Sequence, residues 1–191
     1  MNIFTRGVVL IIILVGLSAC NDVKIPVVIE TDRGDIYLEL YANQASITVT
    51  NFLSYVDSGL YQNSWFYRTV TLENQPLNEI KIEVIQGGLY DETSMLPEIA
   101  HETTTQTGIR HENGVLSMAR NEPGSATSEI FICIGDQPEL DFGGRRNPDG
   151  QGFAAFGRVT RGMDVVIGIQ GQPQQDQMLT PRILIKQIRR E

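Results

Sequence analysis

The chain has 191 residues, of which 41% are hydrophobic and 20% charged, and its 15 Lys and Arg against 23 Asp and Glu give a formal net charge of -8. This composition excludes a collagen, a disordered chain and a protein that crosses a membrane many times, and the length predicts one domain. Lys and Arg form no cluster beyond Arg189 and Arg190. The acidic chain is therefore not expected to bind nucleic acid, which needs a basic surface.

The first residues have the layout of an export signal. One positive charge at Arg6 precedes an apolar run over 7–17, and small residues lie directly before Cys20. The run is shorter than the roughly 20 apolar residues that a spanning helix needs. Residues 17–20 (LSAC) resemble a bacterial lipobox, which implies cleavage before Cys20 and its acylation. An ordinary secretory signal and a short uncleaved anchor are the alternatives.

These signals divide the chain into a lipoprotein signal peptide at 1–19, a lipidated tether at 20–26 and one folded domain at 27–191. Several acyl chains would attach the protein stably to a membrane, because each buried methylene contributes about 0.8 kcal/mol. Asn21, rather than Asp, follows the cysteine. The lipobox resemblance then implies the periplasmic face of the outer membrane. With Cys20 acylated, Cys133 has no partner for a disulfide.

The folded domain begins with strand patterns. Apolar and polar residues alternate over 27–31 and 36–40 around a turn at 32–35, which predicts a β-hairpin. A helix follows, with Ser46 or Thr48 able to cap its start and Gly59 to end it. The apolar residues that share one face of this helix are Val49, Phe52, Leu53, Val56 and Leu60.

Shorter patterns complete the domain. Further strands are predicted at 65–70, 80–86, 114–119, 129–135, 153–159 and 182–188, and a second helix at 162–169. Eight short strands separated by Gly- and Pro-containing turns are typical of a barrel or a sandwich. Three irregular segments, at 71–79, 121–127 and 142–152, are the places where functional residues are expected.

The sequence lacks the residue patterns of several kinds of catalytic and cofactor-binding site. His101 and His111 have no metal-ligand spacing, and no Gly-x-Ser-x-Gly elbow is present. Cys133 lies within an apolar strand, where a buried thiol is expected rather than a nucleophile. Gly87-Gly88 and Gly143-Gly144 lack the further residues of nucleotide-binding loops. We predict neither a metal nor a cofactor.

Polar and apolar side chains instead pair along three strands, as expected for a surface that holds an extended peptide. Strand alternation places both members of each pair on one face. The pairs are Phe66 with Arg68, Val84 with Gln86, and Glu129 with Phe131. The alternative is that Phe66 and Phe131 belong to the core and that Arg68 forms a surface ion pair.

Seven segments resemble, in order, motifs of the cyclophilins, the cyclosporin-binding type of peptidyl-prolyl cis-trans isomerase. The segments are 48–52 (TVTNF), 66–68 (FYR), 84–88 (VIQGG), 114–120 (GVLSMAR), 125–132 (SATSEIFI), 140–141 (LD) and 156–159 (FGRV). No single segment is decisive, but their joint order over 27–188 is specific. The resemblance implies a mainly β fold, a closed eight-stranded antiparallel barrel capped by two α-helices, in agreement with the predicted elements.

The resemblance also implies the reaction, which is rotation about an X-Pro peptide bond, and the residues that perform it. Arg68 would donate to the prolyl nitrogen as its lone pair localises, Gln86 would bind the peptide backbone, and Ala119 and Arg120 would pair with the chain before the proline. No cofactor is involved. The substrate-binding residues implied are Phe66, Val84, Gln86, Ala119, Arg120, Glu129, Phe131, Leu140 and Phe153.

The sequence departs from the family pattern at several positions. Glu83 stands where an aromatic pocket wall is expected, after about ten extra residues, and Glu139 stands where a Trp gives cyclosporin sensitivity, so tight cyclosporin binding is not expected. Phe153 replaces a pocket histidine and keeps the hollow apolar. Glu129, in place of Gln, puts a carboxylate near Arg68, where it either orients the guanidinium or holds it away from substrate.

We therefore expect a monomeric, lipid-anchored isomerase of the cell envelope that assists the folding of exported proteins by binding their proline-containing segments. The alternative that Glu83 and Glu129 favour is a chaperone or interaction module that binds such segments without turnover. A lipoprotein that uses the barrel only as a scaffold is a third interpretation.

Overall fold

The computed structural model describes residues 23–89 and 92–191, and these residues form nine strands and three α-helices. The strands are β1 (Lys24–Thr31), β2 (Gly34–Tyr41), β3 (Ser64–Val70), β4 (Val84–Gly88), β5 (Val115–Met118), β6 (Ile130–Cys133), β7 (Ala154–Arg161), β8 (Gln174–Gln175) and β9 (Met178–Arg190). The helices are α1 (Ser46–Asp57), α2 (Thr104–Thr107) and α3 (Met163–Gln170). The predicted signal peptide and Cys20 lie outside the described residues.

Eight strands close into an antiparallel barrel. Their neighbour order is β1-β2-β7-β5-β6-β4-β3-β9, and pairing between β1 and β9 completes the ring, while the two-residue β8 pairs with β9 beside it. The predicted barrel and its two helices, α1 and α3, are confirmed. The short helix α2 and strand β8 were not predicted. No helix within 23–89 or 92–191 combines the length and apolar character needed to cross a bilayer.

Strand β4 begins at Val84, although the pattern predicted a strand from residue 80. The reason is Gln75, a buried side chain in the preceding loop. Its amide donates to the Ile82 carbonyl at 2.7 Å and accepts from the Ile82 N–H at 3.3 Å. Because these backbone groups are already bonded, they do not join the ladder. The side chain of Gln75 thereby joins the two ends of the 71–83 loop.

The two faces of the barrel wall carry separate apolar clusters. The larger cluster fills the barrel interior and includes Phe52 of α1, whose ring centroid lies 5.3 Å from that of Phe156 on β7. The smaller cluster lies on the opposite face of β4 and β6, since successive residues of a strand point to opposite sides. Its members are Val70, Ile82, Val84, Phe131, Cys133 and Leu140.

A β-bulge in β3 decides which of these faces Arg68 reaches. Phe66 pairs with Gly87 and Arg68 with Gln86, so Tyr67 is an extra residue on β3. The extra residue reverses the alternation. Phe66 is fully buried in the interior cluster, whereas Arg68 lies outside. The prediction that Phe66 and Arg68 share a face is therefore wrong, because regular alternation does not include the bulge.

Helix α1 is capped at its start by a residue from another part of the chain. Neither Ser46 nor Thr48 provides the predicted cap, and the N-cap residue is Ala45. The Glu102 carboxylate instead accepts hydrogen bonds from the N–H groups of Ile47 (3.2 Å) and Thr48 (2.8 Å) and from the Thr48 hydroxyl (2.6 Å). Its negative charge also suits the positive end of the helix dipole.

We expect Glu102→Ala to lower the free energy of unfolding by about 0.5–2 kcal/mol, the usual range for loss of an N-cap. Urea denaturation measures this change. Glu102→Gln keeps an acceptor oxygen but not the charge and should have a smaller effect. Equal unfolding midpoints for wild type and Glu102→Ala would show that the contact does not stabilise the helix.

Candidate active site

A cavity of about 290 Å³ opens on the outer face of the barrel, over the smaller apolar cluster. Eight of the ten site residues predicted in the barrel line it, namely Arg68, Val84, Gln86, Ala119, Arg120, Phe131, Leu140 and Phe153. Sequence reasoning missed its other lining residues, Ile82, Asn121, Arg146 and Asn147. The two predicted residues that it does not include are Phe66 and Glu129.

The floor of the cavity is an apolar hollow. Val84, Phe131 and Leu140 are at most 5% exposed. The ring of Phe153 meets that of Phe131 edge-on, with centroids 5.3 Å apart and an interplanar angle of 88°. The hollow therefore offers aromatic and aliphatic surface to one small apolar group. Cys133, on the same strand as Phe131, is fully buried as predicted, and burial raises the pKa of its thiol.

Buried polar residues pack against the Phe131 ring on the side away from the cavity. His111 stacks on its ring at a centroid distance of 5.9 Å. One ring nitrogen of His111 lies 2.8 Å from Asp141 Oδ1 and the other lies 2.9 Å from Ser117 Oγ. This order of groups is that of a hydrolase triad, but Ser117 is fully buried, so no substrate atom can reach its hydroxyl. The set therefore supports the cavity floor.

Arg68 is held at the rim of the hollow by two uncharged side chains. Its Nη1 donates to Gln86 Oε1 at 2.7 Å, and its Nε and Nη2 donate to Gln177 Oε1 at 3.0 and 2.7 Å. A guanidinium has five N–H groups, so two remain for a ligand. Burial lowers the pKa of Arg68, which still keeps its charge because arginine titrates far above neutral pH.

Gln177 is a functional candidate that the sequence patterns did not reveal. It lies in the turn before β9 with a φ of 71°, which removes it from the strand alternation. Its backbone carbonyl accepts from the Thr69 N–H at 2.8 Å, and its side-chain amide donates to the Asn74 carbonyl at 3.0 Å. It therefore fastens Arg68, β3 and the 71–83 loop together, across a separation of 109 residues from Arg68.

The glutamates that departed from the family pattern do not occupy the hollow. Glu129 accepts a hydrogen bond from the Tyr67 hydroxyl, not from Arg68. Glu83 faces away, with its carboxylate 3.4 Å from the Gln170 amide, and Ile82 forms the cavity wall instead. Glu139 pairs with an exposed arginine, Arg145, at 3.0 Å. None of these three carboxylates therefore lines the cavity beside Arg68.

Two arginines fasten the loops that border the cavity. Arg120 binds the Asp149 carboxylate at 2.7 and 2.9 Å and the Gly152 carbonyl at 2.9 and 2.6 Å. Arg146 donates to the Ile80 carbonyl at 2.6 Å. The Arg120 guanidinium is therefore already bonded within the protein, and the predicted pairing of the 119–120 segment with a peptide does not involve it.

A second groove, of about 400 Å³, adjoins the cavity and shares Gln86, Ala119, Arg120 and Asn121 with it. Glu129 and Tyr67 line this groove. Within 23–89 and 92–191, no group of three or more His, Cys, Asp or Glu side chains is arranged to hold a metal ion. The site therefore consists of an apolar hollow, three arginines of which Arg68 is bonded only to uncharged side chains, and an adjoining groove.

Comparisons with known proteins agree with this geometry. The cyclophilin type peptidyl-prolyl cis-trans isomerase/CLD family matches residues 26–190. Peptidyl-prolyl cis-trans isomerase cyp18 of Streptomyces antibioticus is 39% identical over 148 residues, 75% of this chain and 81% of the relative. Peptidyl-prolyl cis-trans isomerase B of Escherichia coli is 35% identical over 149 residues, 76% of this chain and 84% of the relative.

A solved structure shares the fold. The cyclophilin type peptidyl-prolyl cis-trans isomerase of Cryptosporidium parvum aligns with a TM-score of 0.68 at 22% identity, covering 88% of this chain and 98% of its own. Its structure in the presence of the dipeptide Ala-Pro aligns with a TM-score of 0.66. The fold and enzyme class predicted from the sequence are confirmed, and the chain belongs to the cyclophilin-type peptidyl-prolyl cis-trans isomerases.

Proposed function

We propose that this isomerase twists the X-Pro bond at Arg68 while the proline ring occupies the hollow over Phe131, and that its substrates are proteins exported to the cell envelope. The observation that carries the first part is the arrangement of Arg68. Its three hydrogen bonds run to uncharged amides, and two N–H groups remain available beside an apolar hollow.

The chemistry requires no bond to be made or broken. The planar amide resists rotation by roughly 18–20 kcal/mol because twisting removes its resonance. The prolyl nitrogen has a localised lone pair only when the bond is twisted, so a donor placed against it stabilises the transition state and not the planar isomers. Arg68 supplies this donor with its position already fixed, which avoids the cost of reorganisation during the reaction.

The second groove gives the peptide its path. Gln86 and Ala119 line both the cavity and the groove, so an extended chain whose proline fills the hollow would pass along them. Gln86 directs its side-chain NH₂ group toward the Tyr67 hydroxyl and Glu129, so a peptide in the groove would pass beside this polar edge. The related structure obtained in the presence of Ala-Pro supports a proline-containing peptide as the ligand.

The export role rests on the first twenty residues. The charge at Arg6, the apolar run over 7–17 and the lipobox-like residues 17–20 support a lipid anchor at Cys20, on the periplasmic face of the outer membrane. Clients at this location would be newly exported chains, in which slow X-Pro isomerisation limits folding. This placement makes the protein a folding enzyme of the cell envelope.

Metabolic labelling with palmitate tests the anchor. We expect wild type to incorporate label and to fractionate with the outer membrane, and Cys20→Ser to do neither. Cys133→Ser is a matched control that should keep the label, since that thiol is fully buried. Unlabelled wild type, or label that persists in Cys20→Ser, would contradict lipidation at this cysteine.

A further inference from the structure

A directed chain of hydrogen bonds leads from Arg68 to Glu129. Arg68 Nη1 donates to Gln86 Oε1 at 2.7 Å, Gln86 Nε2 donates to the Tyr67 hydroxyl oxygen at 2.9 Å, and the Tyr67 hydroxyl donates to the Glu129 carboxylate. The direction is fixed at both ends, because a guanidinium can only donate and a carboxylate can only accept.

We propose that Tyr67 and Glu129 are positioning residues, which fix the orientation of the Gln86 amide and, through it, of Arg68. The inference rests on the proposed roles of Arg68 and Gln86. In this orientation the amide oxygen of Gln86 holds the guanidinium, and its NH₂ group faces Tyr67 and the groove. Neither positioning residue needs to contact the prolyl bond.

The hydrogen bonds of Arg68 and Glu129 exclude the opposite orientation of the Gln86 amide. A rotated amide would place its NH₂ group against the Arg68 guanidinium, so that two donors faced each other and Arg68 lost an acceptor. A half-buried donor left without its partner costs about 1–3 kcal/mol. The rotated amide would also point its oxygen at the Tyr67 hydroxyl, whose proton is already used for Glu129.

The carboxylate at position 129 fixes the direction of the hydrogen bonds at the Tyr67 end. A neutral amide there could donate as well as accept, so the Tyr67 hydroxyl could turn its proton toward Gln86. The packing holds the carboxylate in place. A Cβ on Gly88, whose φ is 154°, would lie 2.6 Å from Glu129 Oε1, so a residue without a side chain is needed there.

Protonation of Glu129 would have the same effect as an amide. Burial raises the pKa of Glu129, against the hydrogen bonds from Tyr67 and Gln86, which lower it. The ordered chain exists above this pKa and is lost as the pH falls through it. The surrounding groups that act on Glu129 or line the same groove are Tyr67 and Arg68 of β3, Gln86 of β4, Tyr55 of α1, Tyr61 after α1, and Glu98 and Arg120 of the groove.

The test is the pH profile of kcat/KM for a short X-Pro peptide, measured by exchange NMR between about pH 4 and about pH 8. We expect the wild-type rate to fall on the acid side. Glu129→Gln should remove this dependence and lower kcat/KM about tenfold at neutral pH, the equivalent of about 1.4 kcal/mol. Glu98→Gln removes a carboxylate from the same groove that takes no part in these hydrogen bonds. Its kcat/KM should still fall at acid pH, whatever the value at neutral pH.

Tyr67→Phe is the second variant, since it deletes one hydroxyl and preserves the ring. It should lower kcat/KM about as much as Glu129→Gln, and the double variant should be no worse than Tyr67→Phe alone, because Glu129 acts through Tyr67. The side-chain amide resonances of Gln86 should titrate in wild type and not in Glu129→Gln. This signal does not depend on activity.

A flat wild-type profile, an acid limb that survives Glu129→Gln, or a full rate in Tyr67→Phe would each overturn the proposal. Retained activity in Arg68→Ala would instead overturn the catalytic role assigned to Arg68. Thermal unfolding of each variant distinguishes a loss of positioning from a loss of fold.

Discussion

Arg68→Ala is expected to lower kcat/KM for isomerisation of a short X-Pro peptide by about 10²- to 10³-fold, the loss typical when one preorganised transition-state donor is removed. Arg68 lines the cavity with its guanidinium held by three hydrogen bonds to amide oxygens, and two of its N–H groups remain for a ligand. Arg68→Lys should be nearly as inactive, since an ammonium cannot bond Gln86 and Gln177 while also presenting two further donors at fixed angles.

The Arg68 measurement needs a control for overall charge. Arg33→Ala removes an equal charge from an exposed position in the turn between β1 and β2, and its rate should match that of wild type. Circular dichroism should show both variants folded. If Arg68→Ala turned over substrate as fast as Arg33→Ala, the twisted amide would have to be stabilised elsewhere in the cavity.

Phe131→Ala should have the largest effect on both stability and substrate binding. The side chain is 5% exposed and packs between His111 and Phe153, so its loss leaves a void at the base of the hollow. Losses for buried Phe→Ala changes are about 3–5 kcal/mol. The proline ring would also lose its largest contact surface, which should lower kcat/KM about tenfold or more.

Urea denaturation and a substrate titration separate the two effects of Phe131. Phe131→Leu keeps an apolar side chain and should lose less of both quantities. Leu77→Ala, at a position that is 97% exposed, should change the free energy of unfolding by no more than about 0.5 kcal/mol. If Phe131→Ala had the same free energy of unfolding as Leu77→Ala, the Phe131 side chain would not stabilise the fold.

The sequence was sufficient to predict the strands of the barrel because their patterns are local signals, such as the alternation over 36–40 and the short apolar run over 130–134. The same alternation placed Val84 with Gln86 correctly, since β4 pairs in register with β6. It failed at Arg68, because one extra residue, Tyr67, reverses the two faces of β3. A bulge of this kind has no signature in the apolar pattern.

Contacts between distant residues were beyond the reach of local patterns. Arg68 and Gln177 are 109 residues apart, and His111 and Asp141 are 30 apart, and each pair meets only through the closed barrel. Glu129 illustrates the same limit. The motif order predicted a carboxylate near Arg68, but Glu129 bonds to the Tyr67 hydroxyl and is linked to Arg68 only through Tyr67 and Gln86.

The location of Gln177 makes the orientation of Arg68 depend on closure of the barrel. Gln177 directly precedes β9, the strand that pairs with both β1 and β3 and thereby closes the ring. Until β9 is in place, Arg68 lacks the acceptor for two of its three hydrogen bonds. A chain in which β9 is not yet paired would have only Gln86 to orient the guanidinium, so under the proposed role of Arg68 this enzyme becomes active only when its own barrel is closed.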